Sequence, residues 1–206
     1  PLITMNDLSN ETLSALCGDG ISLSDALIVM TSQNSYNVRI DNCEFEKINK
    51  PVMYAGGERH ETNKNPIISN NYFTDCRLGI AVFGEFERIY ANQYLRCIIG
   101  TYLKYANSNQ YGEIYKGCDC AVFFPSDNGS HNEIESVQIC HCGLCGIYLK
   151  VLDKALGCQI VGCHIADAPI IGESVNNLLF TGCRLDTYFK YTTGAGNSII
   201  CSNIRN

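Results

Sequence analysis

The sequence predicts an all-β protein: a single-stranded right-handed parallel β-helix of about eight coils with Cys, Ile, Val and Phe stacked in its core. Three observations carry this. The stretch Ile68–Val82 (ISNNYFTDCRLGIAV) recurs in outline upstream, as Ile40-Asp41-Asn42-Cys43-Glu44-Phe45, and downstream, as Ile89-Tyr90-Ala91-Asn92-Gln93-Tyr94. Cys76, Cys97 and Cys118 follow at equal spacing, each trailed three residues later by Gly79, Gly100 or Ala121. The apolar residues alternate in short runs broken by Asn and Gly, with no helical period, which is the pattern of strands and tight corners.

Taken in order, residues 1–35 are a lead-in and first coil. Asn6–Leu13 carries helix-capping residues and predicts a short helix, Gly18-Asp19-Gly20 predicts a turn, and Ala26–Met30 predicts the first strand. The β-helix proper covers 36–206, read as a piece of a longer repeat protein because an uncapped stack exposes its core. One inward slot is expected to run through Ile40, Ile68, Ile89, Gln110, Ile134, Ile160, Phe180 and Ile200, with slips of a residue or two at Gln110 and Ile134. Each coil is too short for a strand–helix–strand unit. Short strands stacked in parallel at ~4.8 Å are the remaining solution, and right-handed crossovers are the default. Asn42, Asn70, Asn71, Asn92 and Asn203 fall near one corner, where Asn tolerates left-handed backbone and bonds its neighbours in a ladder. Their expected role is structural.

The formal charge of -6 and a pI near 5.2 argue against nucleic-acid and anionic-membrane partners. No apolar run reaches the ~20 residues of a membrane helix, and no signal-peptide pattern opens the chain. Thirteen cysteines admit three readings. A disulfide framework suits smaller secreted domains. A zinc site would use Cys140-His141-Cys142 with Cys145, but lacks a clean second pair. The reading adopted is that Cys is a small buried hydrophobe at equivalent inward positions, which suits assembly in a reducing cytosol. No metal and no cofactor are expected.

Coil length varies at one place, after the Gly-Ile-x-Val strand: residues 54–64, 84–87, 104–109, 125–132, 151–156 and 172–175. In a repeat stack such insertions gather on one face, often the binding face. If Ile80, Thr101, Val122 and Ile147 point inward, Ala81, Tyr102, Phe123 and Tyr148 point outward in a column. Exposed rings there would stack on sugars or meet another subunit; alternatively, the column lies under neighbouring loops. Acidic residues on the same side are Glu58, Glu85, Glu87, Asp127, Glu133, Asp153 and Glu173. Glycoside hydrolysis needs two carboxylates ~5–9.5 Å apart, close to the separation of one or two stacked levels, so Glu85, Asp127 and Asp153 are the catalytic candidates. Lys150 or Arg88 would steer an acidic sugar. A lyase would instead need a base and a cation at the uronate, and no calcium-binding repeat is present. His60 and His131 sit in insertions, where acid–base work is conceivable, whereas His141 and His164 read as outward surface positions. Asn10-Glu11-Thr12 and Asn128-Gly129-Ser130 match the glycosylation pattern, which a cytosolic protein would not use.

The recurring Ile-x-Asn-Asn-x-Phe-x-x-Cys-x-x-Gly-Ile-x-Val pattern resembles the pectin-lyase-like right-handed β-helix superfamily over residues 36–206. The cysteine-filled core and the lack of a secretion signal resemble the β-helix domains of bacteriophage tailspikes and tail fibres. That resemblance implies a homotrimer of the virion tail, made in host cytoplasm, that binds and depolymerises a bacterial surface glycan (capsule or O-antigen). It transfers no catalytic residue, since no family's catalytic motif matches. Tyr102, Phe123 and Tyr148 are the expected sugar platform or trimer contact. The alternatives are a non-catalytic receptor-binding or spacer segment and a secreted lyase or epimerase.

Overall fold

Where the chain turns is decided by alternation and by the residues that tolerate a left-handed backbone. The computed structural model describes residues 26–31, 38–56, 67–124, 132–152, 158–193, 196–200 and 203–204; the expected Asn6–Leu13 helix and Gly18–Gly20 turn lie outside them. Every strand pairing is parallel, and each strand lies one turn of the chain from its partner. The strands form a 14-stranded sheet and an 8-stranded sheet. Among the described residues there is no helix. The chain is therefore a parallel β-solenoid, as the repeat predicted.

The solenoid has three walls. The first comprises Ile28–Thr31, Pro51–Gly56, the front halves of Leu78–Tyr90 and Ile99–Tyr111, Cys120–Phe124, Cys145–Leu152, Ile170–Val175 and Phe189–Thr193. The second comprises Arg39–Asp41, Ile67–Ser69, the back halves of the same two long strands, Asn132–Glu135, Cys158–Val161, Leu178–Thr181 and Ser198–Ile200. The 8-stranded third wall runs from Glu44–Glu46 to Asn203–Ile204. Leu78–Tyr90 and Ile99–Tyr111 cross from first wall to second without a break, which joins these two walls in one sheet.

The inward slot of the second wall follows the expected register. Ile40, Ile68, Ile89, Gln110, Ile134, Ile160 and Phe180 are Cα partners in succession, with no slip at Gln110 or Ile134. The last rung differs: Phe180 pairs with Ile199, and Ile200 pairs with the outward Thr181. A one-residue shift exchanges the faces of a strand, and two adjacent isoleucines hide that shift from the sequence pattern.

The left-handed corners fall mainly in two series, with Asn177 and Gly196 turning between the first and second walls. Asn42, Asn70, Ala91, Gly112, Ser136, Gly162 and Gly182 have positive φ between the second and third walls; Lys47, Asp75, Arg96, Gly117, His141 and Asp167 do so between the third and first. The next residue turns inward. In the second series it is Cys76, Cys97, Cys118 or Cys142 at four of the six corners, all buried, and Ile48 or Ala168 at the other two. Cys76, Cys97 and Cys118 donate S–H to the carbonyls of Phe45, Phe73 and Tyr94 at 3.4, 3.4 and 3.5 Å. A thiol is small enough for a tight corner and supplies the one donor that the preceding turn's carbonyl can use.

The expected asparagine corner is thus divided. Asn42 and Asn70 take the left-handed position, Asn71 and Asn92 face inward as a ladder, and Asn203 belongs to a third-wall strand. Not every cysteine points to the lumen either. Cys120 and Cys145 belong to a second apolar cluster on the opposite side of the first wall, and Cys140 is half-buried. No disulfide is present among the described residues.

The third wall's inward column begins with four rings. Phe45–Phe73, Phe73–Tyr94 and Tyr94–Tyr115 stack at 5.2, 4.9 and 4.5 Å with interplanar angles of 15, 6 and 7°. Room for these rings comes from the first wall's small residues. A Cβ on Gly79 would lie 2.7 Å from the Tyr94 ring, and one on Gly100 would lie 2.5 Å from the Tyr115 ring.

Candidate functional site

Strand alternation puts Ile80, Thr101, Val122 and Ile147 inward and fully buried, so Ala81, Tyr102, Phe123 and Tyr148 stand on the other face. They are successive rungs: Ala81 pairs with Tyr102, Tyr102 with Phe123, and Phe123 with Tyr148. Phe123 and Tyr148 stack at 5.1 Å, and Tyr102 meets Phe123 edge-on at 5.6 Å. The outward column is therefore present. Its expected exposure is corrected: Tyr102, Phe123 and Tyr148 are 1, 1 and 3% accessible within the single chain. They pack with Leu78, Ile99, Leu144 and Cys145 as a second apolar cluster. The Tyr148 hydroxyl donates to Glu173 Oε1, and burial, reinforced by that carboxylate, pushes the phenol far above its usual range. Rings closed off in this way have no free face to offer a sugar.

Of the catalytic candidates only Glu85 falls among the described residues. Glu85 belongs to Leu78–Tyr90, where its backbone pairs with Asn107. Asp127 follows Cys120–Phe124 and lies outside the described residues, as does Asp153 after Cys145–Leu152. The strands that lead to them are neighbours in the order Leu78–Tyr90, Ile99–Tyr111, Cys120–Phe124, Cys145–Leu152, with Phe124 level with Leu149. The described strand ends that precede Asp127 and Asp153 are therefore neighbours. Glu58, His60 and His131 also lie outside the described residues.

His141 and His164 are surface residues, as expected. His141 Nδ1 is 3.2 Å from Asp167, and His164 Nε2 is 3.4 Å from Asp186, which also takes Arg184 at 2.8 Å. The geometry also separates the residues of the zinc reading: His141 is an exposed corner, whereas Cys142 is buried in the core and Cys145 in the outer cluster. Among the described residues no group of three or more His, Cys, Asp or Glu is arranged to hold a metal ion.

The exposed aromatic feature lies on the second wall instead. Since Ile89 and Gln110 point inward, Arg88, Tyr90 and Tyr111 point out, and Tyr90 and Tyr111 are paired rungs. Tyr111 is 55% accessible, and Tyr72, just past the Asn70–Asn71 corner, is 44%. Below Tyr90 in the same column stand Ser69 and Asp41. The Ser69 hydroxyl and Asn70 amide donate to Asp41 Oδ1 at 2.5 and 2.9 Å; these bonds and Arg39 hold its carboxyl below the usual carboxylate range. The strip combines flat amphipathic rings with fixed acceptors and, at Arg88, an exposed cation. The slot through Ile89 and Gln110 already implied it, because alternation sends their neighbours outward.

No protein-family model, curated protein or solved structure matches this chain.

Proposed function

We propose that this chain is a polysaccharide-binding β-solenoid of the phage-tailspike kind, acting as a homotrimer on a bacterial surface glycan and cleaving it. The observation that carries the reading is a juxtaposition on one strand: Leu78–Tyr90 bears Glu85 on the variable edge and, further along, exposed Arg88 and half-buried Tyr90, with Tyr111 on the next rung. A glycan lying along the solenoid axis would stack its C–H faces on Tyr90 and Tyr111. It would then pass the edge shared by Glu85, Asp127 and Asp153. Two of these carboxyls would divide the work of glycosidic cleavage: one protonates the leaving oxygen, and the other activates water or attacks the anomeric carbon. Tyr102, Phe123 and Tyr148 would stiffen the wall behind the edge.

Incubating the protein with a panel of capsules and O-antigens, with mass spectrometry of the released oligosaccharides, tests this reading. Short oligomers are expected, and their release should be lost in Glu85→Ala, Asp127→Ala or Asp153→Ala. An unsaturated product would replace hydrolysis by elimination. Binding without release would remove the catalytic half.

A second reading, a non-catalytic receptor-binding or spacer segment, is favoured by the burial of the expected platform rings. Neither binding nor release from a sample shown to be trimeric by sedimentation would establish the spacer.

A further inference from the structure

The inward column at the corner between second and third walls contains one carboxyl group, and its surroundings favour a proton there. Four inward residues of this corner act alike, each donating to the carbonyl of the slot residue one turn earlier, whereas Val137, between Glu113 and Cys163 in the same column, carries no donor. Asn71 Nδ2 donates to Ile40 O and Asn92 Nδ2 to Ile68 O, both at 3.0 Å. Further along, Cys163 Sγ donates to Ile134 O at 3.4 Å and Cys183 Sγ to Ile160 O at 3.2 Å. Amide and thiol are interchangeable here because both carry a hydrogen.

Glu113 follows Asn92 in this column and is 0% accessible. Its Oε1 accepts from both Asn92 N and Asn92 Nδ2, at 3.0 and 3.1 Å. Its Oε2 makes no hydrogen bond of ordinary geometry, and the Tyr94 hydroxyl, likewise without one, lies beside the carboxyl and partly offsets the effect of burial. The carbonyl that the column assigns to it is that of Ile89, the slot partner of Ile68. A carboxylate has no hydrogen for that carbonyl, and a carboxylic acid has one. Asn92 faces Glu113 from the preceding corner, Tyr94 from the third wall below and Tyr115, which bonds Gln110 Oε1, from its own turn of the third wall. Of these only the two phenols titrate. Burial, with the Glu113 carboxyl adding to it, pushes both far above their usual range, so neither supplies a cation.

We propose that Glu113 is carried in the folded protein as a neutral carboxylic acid whose Oε2–H completes the donor column at Ile89, making this turn an internal proton latch. When the proton leaves, a bare carboxylate is stranded among Asn92, Tyr94 and Tyr115, and the turn opens to hydrate it. Burial pushes the Glu113 acid up to about 8. The unfolded chain releases that proton near the ordinary glutamate value of 4.5, so between these limits the folded state holds one proton more. Stability therefore falls as pH rises through this window and levels off above it. The folding constant drops roughly tenfold per pH unit there.

The test uses the whole chain in two measurements. In glutamate-labelled protein, ¹³C NMR should show one Cδ resonance titrating near pH 8. All glutamates titrating in the ordinary carboxylate range would overturn the proposal. Thermal unfolding across the window is then compared with Glu113→Gln, whose Nε2–H replaces the Oε2–H. The variant should match the wild type at the acid end and exceed it at the alkaline end. Parallel profiles would overturn the proposal; if the variant does not fold, the NMR titration decides alone.

Discussion

Replacing Gly100 by alanine tests the link between the first wall's small residues and the aromatic stack. In an ordinary strand the change would stabilise by roughly 0.5–1 kcal/mol, because glycine loses more backbone freedom on folding. Here the added Cβ lands 2.5 Å from Cδ1 and Cε1 of Tyr115 and 2.7 Å from the Ala121 carbonyl oxygen. Neither neighbour has room to yield. Tyr115 is stacked at 4.5 Å on Tyr94, which is itself 4.9 Å from Phe73, and Ala121 belongs to the first-wall strand of the next turn. Overpacking of this kind costs about 1–3 kcal/mol, and disturbing the ring pair adds about 0.5–1.5 kcal/mol. After the backbone gain of roughly 0.5–1 kcal/mol is subtracted, the expected net loss is about 2 kcal/mol, which for a domain of this size lowers Tm by roughly 4–8 °C. Thermal unfolding by circular dichroism reads it directly. Gly143→Ala is the control, since its nearest atom, Asp119 Oδ1, stands at an ordinary 3.5 Å. In a Tyr115→Leu background the penalty at residue 100 should shrink by about 1 kcal/mol or more. An unchanged penalty there, or a Gly100→Ala protein as stable as the wild type, would refute the reasoning.

Three further outcomes are expected. Asn92→Leu removes the partners of the Asn71 N–H and the Ile68 carbonyl; at about 1–3 kcal/mol per orphaned buried group it should cost roughly 2–6 kcal/mol in urea unfolding. Phe123→Ala should cost about 3–5 kcal/mol as a core truncation, whereas Tyr111→Ala should leave Tm within a few degrees and weaken glycan retention in affinity electrophoresis. The Cys97 and Cys158 thiols should resist alkylation at mildly alkaline pH: hydrogen bonding with Cys118, then burial, pushes the Cys97 thiol up to about 12, and burial alone does the same at Cys158. The half-buried Cys43 and Cys140 should react before the buried thiols, and mass mapping after a short pulse checks the order.

Much of this fold can be read from residue spacing, for a definite reason. In a solenoid each rung contacts the rung one turn away, so a repeated residue type at a repeated interval is itself the long-range contact. That is why Gln110, an uncharacteristic residue for an inward slot, still falls in register between Ile89 and Ile134. The thiol column was legible on the same ground, because Cys76, Cys97 and Cys118 recur with their trailing small residues. The candidate edge was legible in part. Insertion lengths point to it, and strand order makes neighbours of the strands that hold Glu85 or precede Asp127 and Asp153 in sequence. Ile199 and Ile200 mark the limit of the pattern, since two equal neighbours carry no phase.

Local pattern, then, determined the strand direction, the stacking register and which side of each strand a residue occupies, because pleating and left-handed corners are properties of a few consecutive residues. What covers an outward face was settled only in three dimensions. Tyr102 and Tyr111 both follow the same outward logic, yet one is 1% accessible and the other 55%. Likewise only tertiary structure separated the asparagines that bend the chain from those that bond across turns, and left Glu113 facing a ladder that needs its proton. Alternation states the side of a wall; burial depends on what packs against that side, and no interval in the sequence encodes it.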